Sequence, residues 1–360
     1  MSFLSNFLTS ARQRLYGDKN VTIVTGNDAA DLDSIISSLL FAYLSQQVDD
    51  STIYVPLVKV PKADLKLRPE LEYVMEQVQL DTNSLICLEE ITLNPSKHQL
   101  ILIDHNVATH PFTAAFKVVG VVDHHVDEKL YLDAEPRCID MVGSCVSLVL
   151  NQFSSDLWKD NKVIAQLALA PLLIDTVNLN WSLNRTTELD VKIHDVLKKF
   201  QPDNYFHNIE KVKSQVDRMS SYDILRRDYK EFVVGPYRIG TSAVTWYFDG
   251  WAKRDSPQII EEAAYSYAQE RQLDMEVILT AFDHDREGKG DYRRELAILI
   301  LNPQLQGVKH TIERDEQIQL KRKTGEFDGA TKSLTFYSQG NLKMSRKQVW
   351  PMLKQLIEMQ

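Results

Sequence analysis

Four apolar runs in the first half of the chain each end in an acidic residue or lead directly into one. Short runs that are apolar throughout are typical of strands buried on both faces of a parallel sheet. Helical patterns separate these runs between about residues 21 and 180. This alternation predicts an α/β domain with a doubly wound, mainly parallel sheet. Three of the runs lie in predicted strands and the loops that follow, VTIVTGNDAADLDS (21–34), LILID (100–104) and VVGVVD (118–123), whereas the fourth, ALAPLLID (168–175), ends the predicted helix Val163–Ile174.

The chain has 360 residues, which is too long for one ordinary hydrophobic core, so we expect two domains. Residues 1–205 are predicted to form the first domain, and a polar stretch predicts a linker at 206–218. Residues 219–360 are predicted to form a smaller mixed α/β domain. The predicted strands are Val21–Thr25, Thr52–Leu57, Leu85–Leu88, Gln99–Ile103 and Val118–Val122 in the first domain, and Phe232–Val234, Tyr237–Ala243, Met275–Ala281 and Leu296–Leu301 in the second.

The acidic residues at the strand ends are expected to project into one crevice, since ligands of such sheets bind outside the carboxyl ends of the strands. Carboxylates at close range repel one another, and divalent cations remove that cost. Oxygen ligands with one or two imidazoles suit Mg²⁺, Mn²⁺ or Co²⁺. Two such metals about 3.5–4 Å apart are used to hydrolyse phosphate esters and phosphoanhydrides. A single acid at a strand end is usually a turn or cap residue, so we expect Asp28 to be one, and His105 to face solvent.

The composition limits the classes of partner. The formal charge of −9 disfavours broad nucleic-acid binding, and no apolar run approaches the ~18 residues of a membrane helix. Three cysteines without a CxxC pattern indicate a reducing compartment, so we expect a cytoplasmic protein. The N-terminus carries Arg12 and Arg14 and no acid before Asp18. It is either a weak organelle-targeting helix, which would allow a mitochondrial pool, or a surface helix that starts the first domain.

Taken together, these motifs resemble the DHH phosphoesterase superfamily. The resemblance rests on these motifs: N-x-x-x-D-x-D with Asn27, Asp31 and Asp33, D-H-N (104–106), D-H-H (123–125), I-D-T (174–176), DYKEF (228–232) and SRKQVWP (345–351). The second half resembles the DHHA2-type domain of manganese-dependent pyrophosphatases, exopolyphosphatases and prune-like proteins. YVPLVKVPKADLKLR (54–68), LDAEPR (132–137), GSCVSLV (143–149) and DILRRDYKEF (223–232) are similar to segments of the fungal-type cytosolic exopolyphosphatases.

The resemblance implies a two-metal site. Asp104 would bridge both metals, His125 would contact the scissile phosphate, and Asp123 would orient His124. At position 27 the pyrophosphatases carry a histidine, so the asparagine implies looser binding of the first metal and less preference for Mn²⁺ over Mg²⁺. The implied metal ligands are Asn27, Asp31, Asp33, Asp104, His124 and Asp175.

The basic residues of the second half would bind phosphate. Arg346 and Lys347 lie at or just before a predicted helix start, where cations oppose the helix dipole and a structural start would prefer acids. Either Ser345 caps this helix or Pro351 occupies its first turn. Taken alone, these cations and Lys230 are ordinary solvated charges. The resemblance places all three on the phosphate, with Ser345 as a hydroxyl donor or cap, and implies a site in the cleft between the domains.

The predicted function is therefore an exopolyphosphatase that releases terminal phosphate from linear polyphosphate by a metal-activated water. A related hydrolase of pyrophosphate, nucleoside tetraphosphates or cyclic nucleotides is the alternative, followed by a regulatory binding protein on the hydrolase scaffold. We expect a monomer with two divalent cations, and neither a nucleic-acid nor a membrane partner.

Overall fold

The computed structural model describes residues 3–15, 21–112, 114–216, 218–283 and 292–359. They divide into two compact units, Met1–Lys213 and Ser214–Gln360. Within the described ranges, no helix is both long enough and apolar enough to cross a lipid bilayer.

The first unit contains a five-stranded sheet in which all neighbouring strands are parallel. Its strand order is β2-β1-β3-β4-β5, so the order reverses between β1 and β3. Doubly wound sheets bind ligands where this reversal occurs. The strands are β1 (Val21–Thr25), β2 (Ile53–Leu57), β3 (His98–Ile103), β4 (Lys117–Asp123) and β5 (Arg137–Ile139). The helices are α1 (Phe3–Arg14), α2 (Leu32–Val48), α3 (Pro69–Gln77), α4 (Cys145–Asn151), α5 (Lys162–Asp175), α6 (Glu188–Leu197) and α7 (Tyr205–Lys213).

Both faces of this sheet are buried, which explains the continuous apolar runs. Along β3, Ile101 and Ile103 join one apolar cluster, whereas Leu100 and Leu102 join another. Successive side chains of a strand point to opposite faces, so each face packs its own layer of helices and loops. The prediction of a doubly wound, mainly parallel sheet is confirmed.

One predicted strand of the first unit is wrong. The segment Leu85–Leu88 makes only an isolated bridge, between Val58 and Cys87, and a short 3₁₀ helix starts at Leu88. Leu85, Ile86 and Cys87 are buried, so the apolar run reflects packing rather than a ladder of backbone hydrogen bonds. The fifth strand is instead β5, whose three half-buried residues gave no sequence signal.

The ends of the first unit are helical. In α1, Leu4 and Leu8 are completely buried and Arg12 Nε lies 3.0 Å from Glu90 Oε1, as expected for a helix that starts the domain. The unit ends after Lys213 rather than at residue 205. Helix α7 occupies much of the predicted linker, because Tyr205, Phe206 and Ile209 recur with helical spacing and are buried beneath a polar exterior.

The second unit contains a six-stranded mixed sheet of order β10-β11-β9-β8-β7-β6. Only the β7–β8 pair is parallel among its described strand pairs. The four predicted strands overlap β6 to β9, and Leu296–Leu301 extends one residue beyond β9, which confirms a mixed α/β domain. The strands are β6 (Tyr229–Val234), β7 (Tyr237–Val244), β8 (Met275–Asp283), β9 (Tyr292–Ile300), β10 (Leu320–Arg322) and β11 (Leu334–Gln339), and the helices are α8 (Ser221–Arg227), α9 (Phe248–Glu270), α10 (Gln306–Glu313) and α11 (Arg346–Glu358).

A fully buried carboxyl group on β8 makes the stability of this unit depend on pH. Glu276 accepts a hydrogen bond from Ser242 Oγ at 2.7 Å, and its Oε2 atom has no partner among the described residues. Burial raises the pKa of Glu276 to about 7 from the usual 4.5. Between these two values the folded chain binds more protons than the unfolded chain, so the free energy of unfolding falls as pH rises.

Replacing Glu276 with Gln is expected to remove this dependence. As pH rises from about 5.5 to about 8, the wild-type chain should lose on the order of 2 kcal/mol of unfolding free energy that the variant keeps. One pKa unit corresponds to 1.36 kcal/mol. Urea unfolding of the full chain at both pH values measures the difference. Identical pH slopes for the two proteins would show that this carboxyl group does not titrate in a buried environment.

Candidate metal centre

The loop at residues 26–31 leads from β1 into α2. A Cβ atom at Gly26 would lie 2.7 Å from the Ser34 Cβ atom, so only glycine allows the loop to approach the helix this closely. Asp31 caps α2, because its Oδ1 atom accepts the backbone N–H of Ser34 at 2.9 Å. Asp33 therefore lies in the first helical turn, where the positive end of the helix favours a carboxylate.

Asp104 follows β3, the neighbour of β1, and is almost completely buried. Its Oδ2 atom accepts hydrogen bonds from Asn27 Nδ2 at 2.7 Å and from Ser34 Oγ at 2.6 Å. Its Oδ1 atom lies 3.2 Å from His124 Nε2 and 3.6 Å from His125 Nδ1. Two donors thus hold one carboxylate oxygen and turn the other toward the histidines.

The His124 ring presents a lone pair to this carboxylate. Its Nδ1 atom lies 3.1 Å from the Val142 carbonyl oxygen, which can only accept, so Nδ1 carries the proton of the neutral ring. Its Nε2 atom then faces Asp104 Oδ1, another acceptor, at 3.2 Å. The two acceptors repel unless a cation lies between them or the ring gains a second proton. Ligand atoms of Asp104, His124 and His125 lie within 4.8 Å of one another, which fits a metal ion.

The partners of the two histidines differ from the prediction. Asp123 was expected to orient His124, but that ring is oriented by the Val142 carbonyl. Asp123 Oδ1 lies 2.7 Å from Nδ1 of His125, and its Oδ2 atom accepts Asn106 Nδ2 at 2.5 Å. Burial raises the pKa of Asp123, but the bonds from His125 and Asn106 lower it below the usual value overall. Asp123 is therefore the positioning residue of the second histidine.

Asp33 and Asp175 belong to the same electrostatic cluster. Burial raises the pKa of Asp33 well above its usual value, and the charges of Asp175 and Asp104 raise it further. The pKa of Asp175 is also raised, first by burial and then by Asp31. The Oδ2 atom of Asp175 is buried without a hydrogen-bond partner in the described part of the chain. An unpartnered carboxylate oxygen among other acids fits a cation site.

Asp33 also holds the start of α4. Its Oδ2 atom accepts the backbone N–H of Cys145 at 2.7 Å, and its Oδ1 atom accepts Val146 N–H at 3.1 Å and Ser37 Oγ at 2.8 Å. A carboxylate has about four acceptor positions, so these bonds fix its orientation without using all of them. Its predicted role as a metal ligand stays a prediction.

Asn27 is turned differently from the predicted ligand. Its Oδ1 atom accepts the backbone N–H of Ala29 at 2.9 Å, while its Nδ2 group donates to Asp104. The reversed amide would place its oxygen against a carboxylate and its NH₂ group against an N–H group. Asn27 therefore donates to Asp104 in the structure, and its predicted role as a metal ligand stays a prediction.

A buried lysine next to the loop was missed in the sequence. Lys59 forms an ion pair with Asp28 and a hydrogen bond with Thr109, whose hydroxyl donates to Asp28 at 2.8 Å. Asp28 is thus a structural partner of Lys59. His105, expected to face solvent, has a buried Nε2 atom without a hydrogen-bond partner among the residues described. Burial, followed by the charge of Lys59, lowers the pKa of His105 to about 4.

Arg68 holds the same loop through backbone carbonyl groups. Its Nε atom donates to Ala30 at 2.5 Å and its Nη2 atom donates to Ala29, although the side chain is almost fully buried. Lys59 and Arg68 both come from the segment 54–68. The sequence did not single them out, because Lys62 and Lys66 lie in the same segment.

The predicted phosphate-binding cations start a helix of the second unit. Ser345 is the N-cap of α11 and forms a capping box with Gln348. Arg346 and Lys347 are the first two residues of that helix, and Pro351 lies inside it. Of the two predicted arrangements, the one in which Ser345 caps the helix is therefore present.

Strand β6 and helix α11 bring the two cationic motifs together. Arg346 forms an ion pair with Asp228 at 2.7 Å, and the rings of Phe232 and Trp350 stack with centroids 3.7 Å apart. Positions 230 and 232 lie two residues apart in β6 and share one face. Lys230 therefore lies on the face of β6 that contacts α11 through Phe232. The roles of Lys230, Arg346 and Lys347 toward phosphate remain predictions.

Two known family models match this chain, one in each half. Residues 21–173 match the family model described as "DHH family, N-terminal domain", and residues 207–356 match the "DHHA2 domain". The "Putative exopolyphosphatase" of Schizosaccharomyces pombe is 34% identical over 257 residues, which cover 64% of this chain and 66% of that protein, just under two thirds. The "Exopolyphosphatase PRUNE1" of Homo sapiens is 25% identical over 367 residues, covering 98% of this chain and 79% of that protein.

A solved structure shares the fold. The crystal structure of a "putative family II inorganic pyrophosphatase" from Methanococcus jannaschii has a TM-score of 0.64 and 20% sequence identity, covering 93% of this chain and 99% of that one. The likeness extends over both units.

Proposed function

Since the chain belongs to the DHH family and joins its N-terminal domain to a DHHA2 domain, we propose that it is a metal-dependent exopolyphosphatase. The reaction is the release of terminal phosphate from linear inorganic polyphosphate, with water as the nucleophile. The observation that carries the proposal is the buried Asp104 carboxylate, whose Oδ1 atom lies 3.2 Å from His124 Nε2. The names of the Schizosaccharomyces pombe and human relatives support the choice of substrate.

The donor set fits divalent cations, and we propose two of them, Mg²⁺, Mn²⁺ or Co²⁺. When bound, they would lower the pKa of a water molecule and neutralise charge on the phosphoryl group. Hard carboxylate oxygens with one or two imidazole nitrogens match the preferences of these ions. The proposed ligands are Asn27, Asp31, Asp33, Asp104, His124 and Asp175.

The remaining residues would orient these ligands or bind substrate. Asn27 and Ser34 hold Asp104 by its Oδ2 atom. His125, held by Asp123 through Nδ1, would in its doubly protonated form donate from Nε2 to a phosphate oxygen. The cations proposed to bind the charged phosphoryl group are Lys230, Arg346 and Lys347, with Ser345 fixing the helix that carries the last two.

The experiment that tests this function is a phosphate-release assay with Mg²⁺, Mn²⁺ or Co²⁺. Long polyphosphate, tripolyphosphate, pyrophosphate and a cyclic nucleotide are offered in parallel, and the products are sized on a gel. We expect orthophosphate from the two longer chains, stepwise shortening of polyphosphate, and little attack on pyrophosphate.

Two other results would identify other functions. Preferential hydrolysis of pyrophosphate or of the cyclic nucleotide would replace the polyphosphate assignment by the related hydrolase. Absence of turnover with every substrate and metal would favour a regulatory binding protein. A cytoplasmic location and a monomeric state are part of the proposal and are tested by fractionation and by light scattering.

A further inference from the structure

One residue holds the guanidinium group of Arg346 at two points. Nη2 donates to Asp228 Oδ1 at 2.7 Å, and Nη1 donates to the carbonyl oxygen of the same residue at 3.0 Å. The side chain of Arg346 is 16% exposed and that of Asp228 is 39% exposed, so the pair lies at the surface. It is nevertheless restrained by two bonds rather than one. A guanidinium group bound at two points by one residue has a defined plane.

The anchor itself is fixed by the sheet. The carbonyl group of Asp228 also accepts the backbone N–H of Ala243 at 2.8 Å, which ties it to β7. On the other side, the Phe232–Trp350 stack fixes the first turns of α11 against β6. The position of the arginine and the position of its partner are therefore set by separate contacts.

The bonds to Asp228 do not use all the N–H groups of Arg346. A guanidinium group has five N–H donors, and within the described residues only Asp228 engages those of Arg346. At the start of α11 a cation opposes the helix dipole, so the Asp228 carboxylate also compensates a charge in an unfavourable position.

We propose that Asp228 is a positioning residue that orients Arg346 for binding phosphate oxygens. This inference rests on the proposed function, because it assigns Arg346 to the phosphate. Without the carboxylate, the arginine side chain would sample several rotamers, and binding would have to restrict them. Substrate binding should therefore weaken, while the chemical step and metal binding remain close to those of wild type.

The test uses the full chain and four variants. Asp228→Ala removes the partner, Asp228→Asn keeps a neutral acceptor of the same shape, and Arg346→Ala removes the arginine. The double variant Asp228→Ala/Arg346→Ala completes a mutant cycle. Asp223→Asn is the matched control, since Asp223 pairs with Arg226 on the same unit and is similarly exposed.

Two quantities are measured for each protein. One is kcat and KM with long polyphosphate, and the other is tripolyphosphate binding by calorimetry after metal removal, which does not depend on turnover. Asp228→Ala should raise KM about tenfold and weaken tripolyphosphate affinity by about the same factor. This is within the range for residues that orient a binding group. Asp228→Asn should show a smaller loss, and Asp223→Asn none. In the Arg346→Ala background, Asp228→Ala should have no further effect.

Contrary results for Asp228 or Arg346 overturn the inference, and one further result separates it from the proposed activity. An equal loss from Asp228→Ala with and without Arg346 would mean that Asp228 acts through another group. If Arg346→Ala leaves tripolyphosphate affinity and KM unchanged, or if wild type does not bind tripolyphosphate, Arg346 is not a phosphate ligand. Normal tripolyphosphate binding with the expected mutant cycle, but no polyphosphate turnover, would sustain the role of Asp228 while rejecting the proposed enzyme activity.

Discussion

Replacing Asp104 with Asn should reduce metal-dependent phosphate release by roughly a thousandfold or more. The change removes the charge of the carboxylate that faces both histidines. It also leaves the Asn27 and Ser34 donors with a partner that is a weaker acceptor. Loss of one electrostatic contact in other hydrolases costs about 10²–10³-fold in kcat, and a bridging metal ligand should cost at least as much.

Thermal unfolding with and without Mn²⁺ tests whether this loss of activity comes from a loss of metal binding. A metal at about 100 times its dissociation constant stabilises a protein by about 2.7 kcal/mol, which corresponds to several degrees in Tm. Asp104→Asn should lose most of this shift. The control is Asp127→Asn, which removes a carboxylate paired with Arg137 in the same unit. Retained turnover in Asp104→Asn would show that the proposed metal site is wrong.

Changing His125 should lower kcat by roughly a hundredfold while leaving the Mn²⁺-induced shift in Tm. The expectation follows if the ring donates from Nε2 to phosphate, since one such donor contributes about 10²-fold or more to kcat. The rival role is that of a metal ligand, because His125 lies in the group of ligand atoms within 4.8 Å of one another. The two roles differ in whether metal stabilises the variant protein.

Two substitutions at this position separate the ring nitrogens. His125→Asn places an amide near the former Nδ1 atom, so the bond to Asp123 can persist while the Nε2 donor is lost. His125→Gln extends an amide toward the former Nε2 position. Phosphate donation predicts that Gln retains more activity than Asn, with equal Mn²⁺ shifts. Loss of the Mn²⁺ shift in both variants would assign His125 to the metal instead.

The acidic cluster was predictable because backbone topology alone brings it together. Asp104 follows a strand, Asp33 opens the helix after a neighbouring strand, and parallel strands place such ends on one edge of the sheet. Hydrophobic periodicity therefore sufficed to gather these residues, and the resemblance supplied their proposed roles.

The contacts around the acids were less predictable, since they depend on rotamers and on chain segments distant in sequence. Val142 lies 18 residues from the histidine that it orients. The orientation of the Asn27 amide is set by two hydrogen bonds together, one from the Ala29 N–H group and one to the Asp104 carboxylate. No local pattern specifies either contact, and so Asp123 was assigned to the wrong ring.

The errors in the fold have a similar origin. The buried run at 85–87 has the composition of a strand, but it makes only one isolated bridge to the rest of the chain. Helix α7 lies in the predicted linker because its exposed residues are polar and only three of its nine residues are buried. Composition reports average environment, whereas pairing and packing depend on what lies opposite.

The anchoring of the loop at 26–31 by Lys59 and Arg68 has a consequence for protein engineering. A designer who transplants the D-x-D loop into another α/β scaffold would carry the visible acids but leave their supports behind. The graft would then contain Asp28 without its cation and two carbonyl groups without their guanidinium donor. The segment to transplant therefore comprises the loop together with residues 59 to 68. Mutant libraries that randomise residues 59 to 68 will change the conformation of the loop even though the loop sequence is unchanged.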